Sequence, residues 1–410
     1  MTNGCCCRSR WEKYSFGDLQ QIASIYEEQN LPLDGINLDT EWHVNSDYLD
    51  GGTGNYGGGF DWDRSLYPSP TEMIGWFDER GLWPVWFDIH QSHGVLPTNS
   101  AFKTFKTALG YPPSFNGTVG VDVTNRTFAT AFFELLQKQV GGTNYWWLDN
   151  SHSAGGLSPL PQNAINWVLW DRILFSEDAE KRGKNTGWVG RPTVMGPWGG
   201  MGSHRYPFGH SGDTVTSWPT LQFLVPYTAT AANVLYAFIT HDVGGHRDDN
   251  IWGNDPELYT RWTQYGAWTA MLRPHPQIYP GMAKGSSGDA RIERRVWIYD
   301  YKYFNVMREA MQYRARLVPY TYSSALQSHY NGVPFIRSLY VDYIEAVAHL
   351  NDTDVNGLSV VNTSYLFGDM LLIAPIITPI NIHTNLSTRS VYLPKGMQVV
   401  NHKMHLLSNI

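Results

Sequence analysis

Cysteine is nearly absent from this chain. Three of 410 residues are cysteines, and they are consecutive, Cys5-Cys6-Cys7. Neighbouring cysteines rarely bridge and there is no distant one to pair with, so a disulfide framework is excluded. Long hydrophobic runs are missing too. The most apolar stretch, Leu221 to Thr240, is interrupted by Gln222, Pro226 and Asn233, which falls short of the roughly 18 consecutive apolar residues of a spanning helix. A buried helix and strand are expected there, and no membrane span. Charge of one sign is also scarce. The net charge of −7 is spread without long runs, and with no basic stripe to neutralise phosphates, nucleic acid is excluded as a partner.

What is present is apolar bulk. At 42% hydrophobic and 14% aromatic, the chain can bury a large core and is long enough for an α/β barrel with a smaller companion domain. Five Asn-x-Ser/Thr sequons, at Asn116, Asn125, Asn351, Asn362 and Asn385, point towards the secretory pathway or the cell exterior. The first residues carry no charged segment followed by an apolar run, so no signal peptide is read there. Oligomeric state and compartment are left open.

Helix signals alternate with strand-like apolar segments, as expected of repeated βα units around a parallel sheet. Ser69-Pro70-Thr71-Glu72 reads as a capping box with proline at the first helical position; Met73, Ile74 and Phe77 line one face, and Gly81 closes the helix. The strand PVWFDIH, Pro84 to His90, follows. An earlier unit runs from Ser15 through Leu19, Ile22 and Tyr26 to Asn30, then into LDGINLDTEWH, whose apolar run ends at Asp39 and Glu41. A third carries Phe128, Phe132, Leu135 and Leu136, stops at Gly141-Gly142, and leads to YWWLDN ending in Asp149. Further apolar segments end at Met195, Asp213, Asp242 and near His275. In a (β/α)8 barrel the C-terminal ends of the strands converge, so strand-end Asp and His residues from different units become neighbours. After Gly332 the helical alternation gives way to segments such as VPFIRSLYVDY and MLLIAPIITPI, which read as a small β domain.

Two strand-end carboxylates suit glycosidic bond cleavage with retention, in which one attacks the anomeric carbon and the other protonates the leaving oxygen from about 5–5.5 Å away. Asp149 ends an aromatic strand whose rings can wall a sugar site. Asp213 sits in His210-Ser211-Gly212-Asp213-Thr214, where small residues allow close backbone approach. Taken singly, each aspartate reads equally as a cap of the next helix. His241, Asp242, His246, Asp248 and Asp249 crowd one segment, but their spacing matches no hard or soft metal site. No metal or other cofactor is expected.

YWWLDN, HRYPFGHSGDT, HDVGGH, ELYTRWTQYGAWTAMLRPH, YRARLVPYTYSSA and YLFGDMLLIAPI together resemble glycoside hydrolase family 31 in order and spacing, from Asp34 to about Pro379. The resemblance implies a (β/α)8 TIM barrel followed by small β domains, acting on α-linked sugars with retention. It makes Asp149 the nucleophile and Asp213 the acid/base, and it implies sugar contacts for Asp39, Trp147, Asp242 and His275. Mapped onto the chain, it places the catalytic barrel over 1–332, without the family's N-terminal β-sandwich, and an incomplete C-terminal β-sandwich over 333–410. The expected reaction removes a terminal α-linked hexose, most simply α-glucose, from an oligosaccharide or glycoconjugate through a covalent glycosyl-enzyme intermediate. Because Asn150 and His210 depart from the α-glucosidase pattern, α-galactose, α-N-acetylgalactosamine and α-xylose are alternatives. A carbohydrate-binding pseudoenzyme or fragment is another.

Overall fold

The computed structural model describes residues 7–8, 12–39, 42–44, 61–82, 87–89, 94–120, 122, 124–139, 145–148, 193–196, 208–236, 238–247, 255–276 and 294–396. Helix α1 (Phe16–Glu28) begins where Ser15 Oγ accepts from the Asp18 N–H at 3.2 Å and Asp18 Oδ2 accepts from the Ser15 N–H at 2.8 Å. Two N–H groups that a bare helix start leaves unsatisfied are thereby bonded, and Leu19, Ile22 and Tyr26 are buried together. Helix α2 (Pro70–Glu79) uses half of that device: Ser69 Oγ accepts from the Glu72 N–H at 3.4 Å, with Pro70 in the first turn. Gly81, at φ 63°, ends it as expected. Helices α3 (Phe102–Ala108) and α4 (Arg126–Gln139) meet through Phe105, whose ring lies 5.0 Å from Phe128 and 5.9 Å from Phe132.

Between and after these helices run short strands: β1 (Cys7–Arg8), β2 (Gly35–Ile36), β3 (Phe87–Ile89), β4 (Tyr145–Leu148), β5 (Thr193–Gly196), β6 (Phe208–His210), β7 (Ile239–Val243) and β8 (Met271–Pro274). Strands β3 to β8 form one parallel sheet in chain order. Strands β1 and β2 form a second parallel pair, with β1 alongside β8. Six parallel strands in sequential order, with a parallel pair beside the last of them, fit the frame of a (β/α)8 barrel. Among the described residues the hydrogen-bonded ladder runs in these two stretches and does not close. The apolar stretch Leu221–Thr240 divides as expected into helix α5 (Trp218–Ala231), capped by Ser217, and the start of β7. No described helix is long and apolar enough to cross a membrane.

Helix α6 (Pro256–Gly266) precedes β8, and α7 (Tyr301–Arg316) and α8 (Val318–Asn331) follow it. Gly332 ends α8 in the left-handed conformation at φ 75°. The C-terminal part holds β9 (Ile336–Ser338), β10 (Tyr365–Phe367) and β11 (Leu371–Ile373), an antiparallel sheet in the order β11-β10-β9. Phe335, Ile336, Tyr365, Phe367 and Ile373 join the same buried cluster as the barrel residues. A second facing sheet, which a sandwich requires, is absent among the described residues. VPFIRSLYVDY is strand only to Ser338 and then becomes helix α9 (Leu339–Asp342). The buried Arg337 guanidinium donates to Asp342 Oδ1 at 2.9 Å and to Asp369 Oδ1 at 2.9 Å, and the Asp342 pairing holds the turn back on itself. In MLLIAPIITPI the strand stops at Ile373, just before Pro375, which has no N–H to give a ladder.

Candidate active site

Strand β7 reads Ile-Thr-His-Asp-Val, and successive side chains on a strand point to opposite faces. His241 therefore turns to the helices, its Nε2 bonded to Thr228 Oγ1 of α5 at 2.6 Å and its ring stacked 6.1 Å from that of Tyr265 on α6. Burial, with His210 adding to it, lowers the His241 pKa to about 3, so it is a neutral packing histidine. Asp242 takes the other face and is fully buried. There Arg273 Nη2, from β8, donates to Asp242 Oδ1. The Gly212 N–H donates to His210 Nδ1 at 3.3 Å, and His210 Nε2 lies 2.9 Å from Asp242 Oδ1 and also touches Arg273 Nη2. Burial by itself would raise the Asp242 pKa; the Arg273 guanidinium and His210 outweigh it and hold the carboxyl well below the ordinary range.

The chain leaves β7 through Gly244 and Gly245, at φ 98° and 81°. A Cβ on Gly245 would lie 2.6 Å from Thr216 Oγ1 and 2.7 Å from Thr216 Cα, so only glycine admits this approach to the loop after β6. The two loops are stitched: His246 N–H donates to Thr214 O at 2.8 Å, Thr216 N–H to Arg247 O at 2.8 Å, and Thr216 Oγ1 to Gly244 O at 2.9 Å. Arg294 Nη2 closes the junction, donating to Thr216 Oγ1 at 3.0 Å and to Gly244 O at 2.5 Å. Asp213 stands on one of these loops and His246 on the other.

His246 lies with Nδ1 3.5 Å from Asp242 Oδ2 and Nε2 3.8 Å from Asp213 Oδ2; the Asp213 side chain is 48% exposed and the imidazole 10%. Its ring stacks on that of His275, which follows β8, at 5.0 Å. His275 Nε2 lies 3.7 Å from Asp39 Oδ2, beyond β2, and burial holds His275 well below the ordinary imidazole range. Trp147, on β4, sets its ring edge-to-face against His275 at 5.3 Å, with the Arg273 guanidinium 4.8 Å from the ring centroid.

Asp39, Trp147, Asp213, Asp242 and His275, anticipated from sequence, thus meet from five different strands or the loops that follow them. Asp149 follows Leu148, the last residue of β4, in the sequence and lies outside the described residues, as do Asn150, Asp248 and Asp249. Arg273 and His246 belong to the cluster but were not anticipated as site residues. Their signals were in the quoted motifs, Arg273 two residues before His275 and His246 closing HDVGGH. Trp147 Nε1, Asp242 Oδ2 and Arg273 Nη1 are buried without a hydrogen bond among the described residues. Two donors and one acceptor match a ligand that both accepts and donates, as a hydroxyl does. Asp242, His246 and His275 each bring a ligand-type atom within 4.8 Å of the others. The Arg273 guanidinium on the same carboxylate already supplies the positive charge there and disfavours a cation.

The chain matches the family model of the glycosyl hydrolases family 31 TIM-barrel domain over residues 5–324. Neutral alpha-glucosidase AB of Homo sapiens is 24% identical over 395 residues, covering 90% of this chain and 38% of the relative. A probable glucan 1,3-alpha-glucosidase of Oryza sativa subsp. japonica is 24% identical over 369 residues, covering 82% and 36%. The chain therefore spans well under half the length of these relatives. Among solved structures, a Flavobacterium johnsoniae dextranase complexed with glucose superposes with a TM-score of 0.68 at 21% identity, covering 92% of this chain and 46% of the other. A xylosidase from Aspergillus niger superposes equally, at 0.68 and 19% identity, covering 91% and 56%.

Proposed function

The chain belongs to glycoside hydrolase family 31, with its TIM-barrel domain within residues 5–324, and from that membership we propose that it is a retaining α-glycosidase removing a terminal α-linked hexose, most simply glucose. The observation that carries the reading is the contact chain Asp39–His275–His246–Asp213, with Asp242 and Trp147 beside it. Strand-end carboxylates, imidazoles and an indole gathered at one end of a parallel sheet are what a sugar with several hydroxyls requires.

In this reading Asp149 attacks the anomeric carbon while Asp213 gives its proton to the leaving oxygen. Asp213 then takes a proton from the water that hydrolyses the glycosyl-enzyme. Half exposure suits that second role, because the acid must exchange protons with water each turn. Asp242, Asp39 and His275 fix hydroxyl orientation, and Trp147 supplies an apolar wall. The neutral alpha-glucosidases favour glucose; the xylosidase that shares the fold keeps α-xylose as a second candidate, and α-galactose and α-N-acetylgalactosamine belong in the same panel. The separate boundaries of a barrel over 1–332 and a smaller domain over 333–410 are retained as part of the proposal.

The test is a panel of aryl α-glycosides carrying these four sugars, with Asp149→Ala and Asp213→Ala alongside the parent. Turnover of one sugar, its loss by several orders of magnitude in Asp149→Ala, and labelling of Asp149 by a mechanism-based inhibitor are expected. Variants that turn over as fast as the parent, or a label on another residue, would overturn the assignment. Carbohydrate binding without any turnover would favour a binding protein.

A further inference from the structure

The imidazole of His246 has one nitrogen towards each of two carboxylates that the proposed chemistry uses differently. Asp242 is the buried, ionised one, and its Oδ1 already accepts from Arg273 with His210 Nε2 2.9 Å away. Its Oδ2 makes no hydrogen bond among the described residues, and His246 Nδ1 is 3.5 Å from it. Across the ring, Nε2 faces Asp213 Oδ2 at 3.8 Å. Both separations exceed a hydrogen bond, and catalytic hydrogen bonds often reach their short geometry only in the complex with substrate.

We propose that His246 is a positioning residue for Asp213: Asp242 fixes the Nδ1–H tautomer of His246, and the Nε2 lone pair then accepts from the protonated carboxyl of Asp213. The inference rests on Asp213 being the acid/base. A neutral imidazole has one donor and one acceptor, so whichever carboxylate claims the proton decides what the other sees. An ionised Asp242 can only accept; it takes Nδ1–H and leaves an acceptor for Asp213. A hydrogen bond to the neutral form of an acid favours that form, and a leaving group needs the acid form. When Asp213 gives up its proton to the leaving oxygen, the C–O bond breaks towards that oxygen and Asp213 becomes a carboxylate. It is then free to take a proton from the attacking water, and the contact to His246 is restored. Asp242 keeps capacity for a sugar hydroxyl, because one carboxylate oxygen offers two lone pairs.

The groups facing His246 come from several elements. From β7 and the loop after β6 come Asp242 and Asp213. Just after β8 comes His275, stacked on the imidazole and backed by Asp39, while Arg273 on β8 reaches the same Asp242 carboxylate. His210, on β6, touches Asp242, and Arg294 braces the Gly244 carbonyl behind the turn. In the proposed arrangement the ring presents Nδ1–H to Asp242 and its Nε2 lone pair to Asp213. The stitched loops set the backbone spacing: Thr214, next to Asp213, is bonded to the His246 N–H, and Thr216 to Gly244 and Arg247.

The experiment compares the parent with His246→Phe, His246→Gln and Asp213→Ala on substrates of good and poor leaving groups. General acid help is worth roughly 10²- to 10⁴-fold, and a group that only positions the acid accounts for part of it. His246→Phe is expected to lose roughly 10- to 100-fold in kcat on an α-linked disaccharide and only about 3-fold on the 4-nitrophenyl glycoside. The basic limb of its pH profile should move to lower pH, since the bond favouring the acid form is gone. His246→Gln, whose amide oxygen can accept near the Nε2 position, should recover part of both effects. An independent readout is the long-range ¹H–¹⁵N spectrum of the imidazoles in the folded parent, with His246 assigned by its loss in His246→Gln; Nδ1–H is expected. Equal losses on both leaving groups with an unmoved basic limb, or an Nε2–H tautomer, would overturn the inference while the glycosidase reading stands. A parent that turns over none of the panel removes both. If His246→Phe does not fold, as judged by circular dichroism, the glutamine variant and the tautomer spectrum decide.

Discussion

Asp242→Ala removes the carboxylate from a pair whose members are both completely buried, and it leaves the Arg273 guanidinium in the interior with no counter-charge among the described residues. Breaking a buried pair from one side costs about 3–5 kcal/mol, because the remaining ion keeps its desolvation penalty and loses its partner. With neither group exposed, no discount for solvent screening applies here. Unfolding entropy scales with length, so 1 kcal/mol corresponds to roughly 1–2 °C of melting temperature in a chain of this size. The expected fall is therefore about 3–10 °C, followed by near-ultraviolet circular dichroism as the tertiary transition. Arg273→Met should cost a similar amount. In the double variant neither charge is stranded, and its loss should be clearly less than the sum of the two single losses. A melting temperature for Asp242→Ala within about 1 °C of the parent, or strict additivity in the double variant, would refute the account of Asp242 as a paired, ionised group.

Three further outcomes follow from the same geometry. His241 and His275 have folded pKa values depressed by burial, that of His241 to about 3 against an ordinary 6.5. Below about pH 6.5 the unfolded chain binds protons that the folded one refuses, so stability should fall by roughly 1.4 kcal/mol per pH unit for each histidine. Asp242 stays neutral to this trend until more acidic pH, since its depressed value keeps its contribution intact above the ordinary carboxylate value and loses it only as pH drops through the folded one. Melting temperatures between pH 7 and pH 5 check the slope; a flat profile, or one unchanged in His241→Gln, contradicts it. Gly245→Ala forces a Cβ within 2.6 Å of Thr216 and a positive φ on alanine, and about 2–4 kcal/mol of destabilisation together with weakened turnover is expected; a urea midpoint equal to the parent's would show that the loops can part. Arg314, on α7, donates to the carbonyls of Ala267, Thr269 and Ala270 at 3.0, 2.7 and 2.7 Å. Arg314→Met should cost about 2–4 kcal/mol by orphaning three buried acceptors, measurable as a shifted midpoint, whereas a loss under about 0.5 kcal/mol would mean that water takes their place.

Much of this architecture is legible in the sequence. Ser15 and Ser69 announced helix starts, the spacing of Leu19, Ile22 and Tyr26 announced a buried face, and apolar runs leading to Asp39, Asp213, Asp242 and His275 announced strands with acids and histidines at or just beyond their ends. These signals are local, since caps and periodicity act within a few residues of chain. The C-terminal part read less well. Its segments looked uniformly β-rich, but one of them passes from strand into helix after Ser338, with Arg337 bonded to Asp342 across that junction, and Pro375 follows closely where the strand in the other stops.

The sequence by itself determined the alternation of helices and strands, the glycines that end the helices, and a set of acids and histidines at strand ends, because each depends on neighbours close along the chain. Tertiary structure alone decided that His241 faces packed helices while Asp242, one residue on, meets Arg273 and His210. It alone set His246 between Asp213 and Asp242. Those partners come from three strands and the loops that leave them, tens of residues apart. Only the register of a parallel sheet fixes which of them share a face.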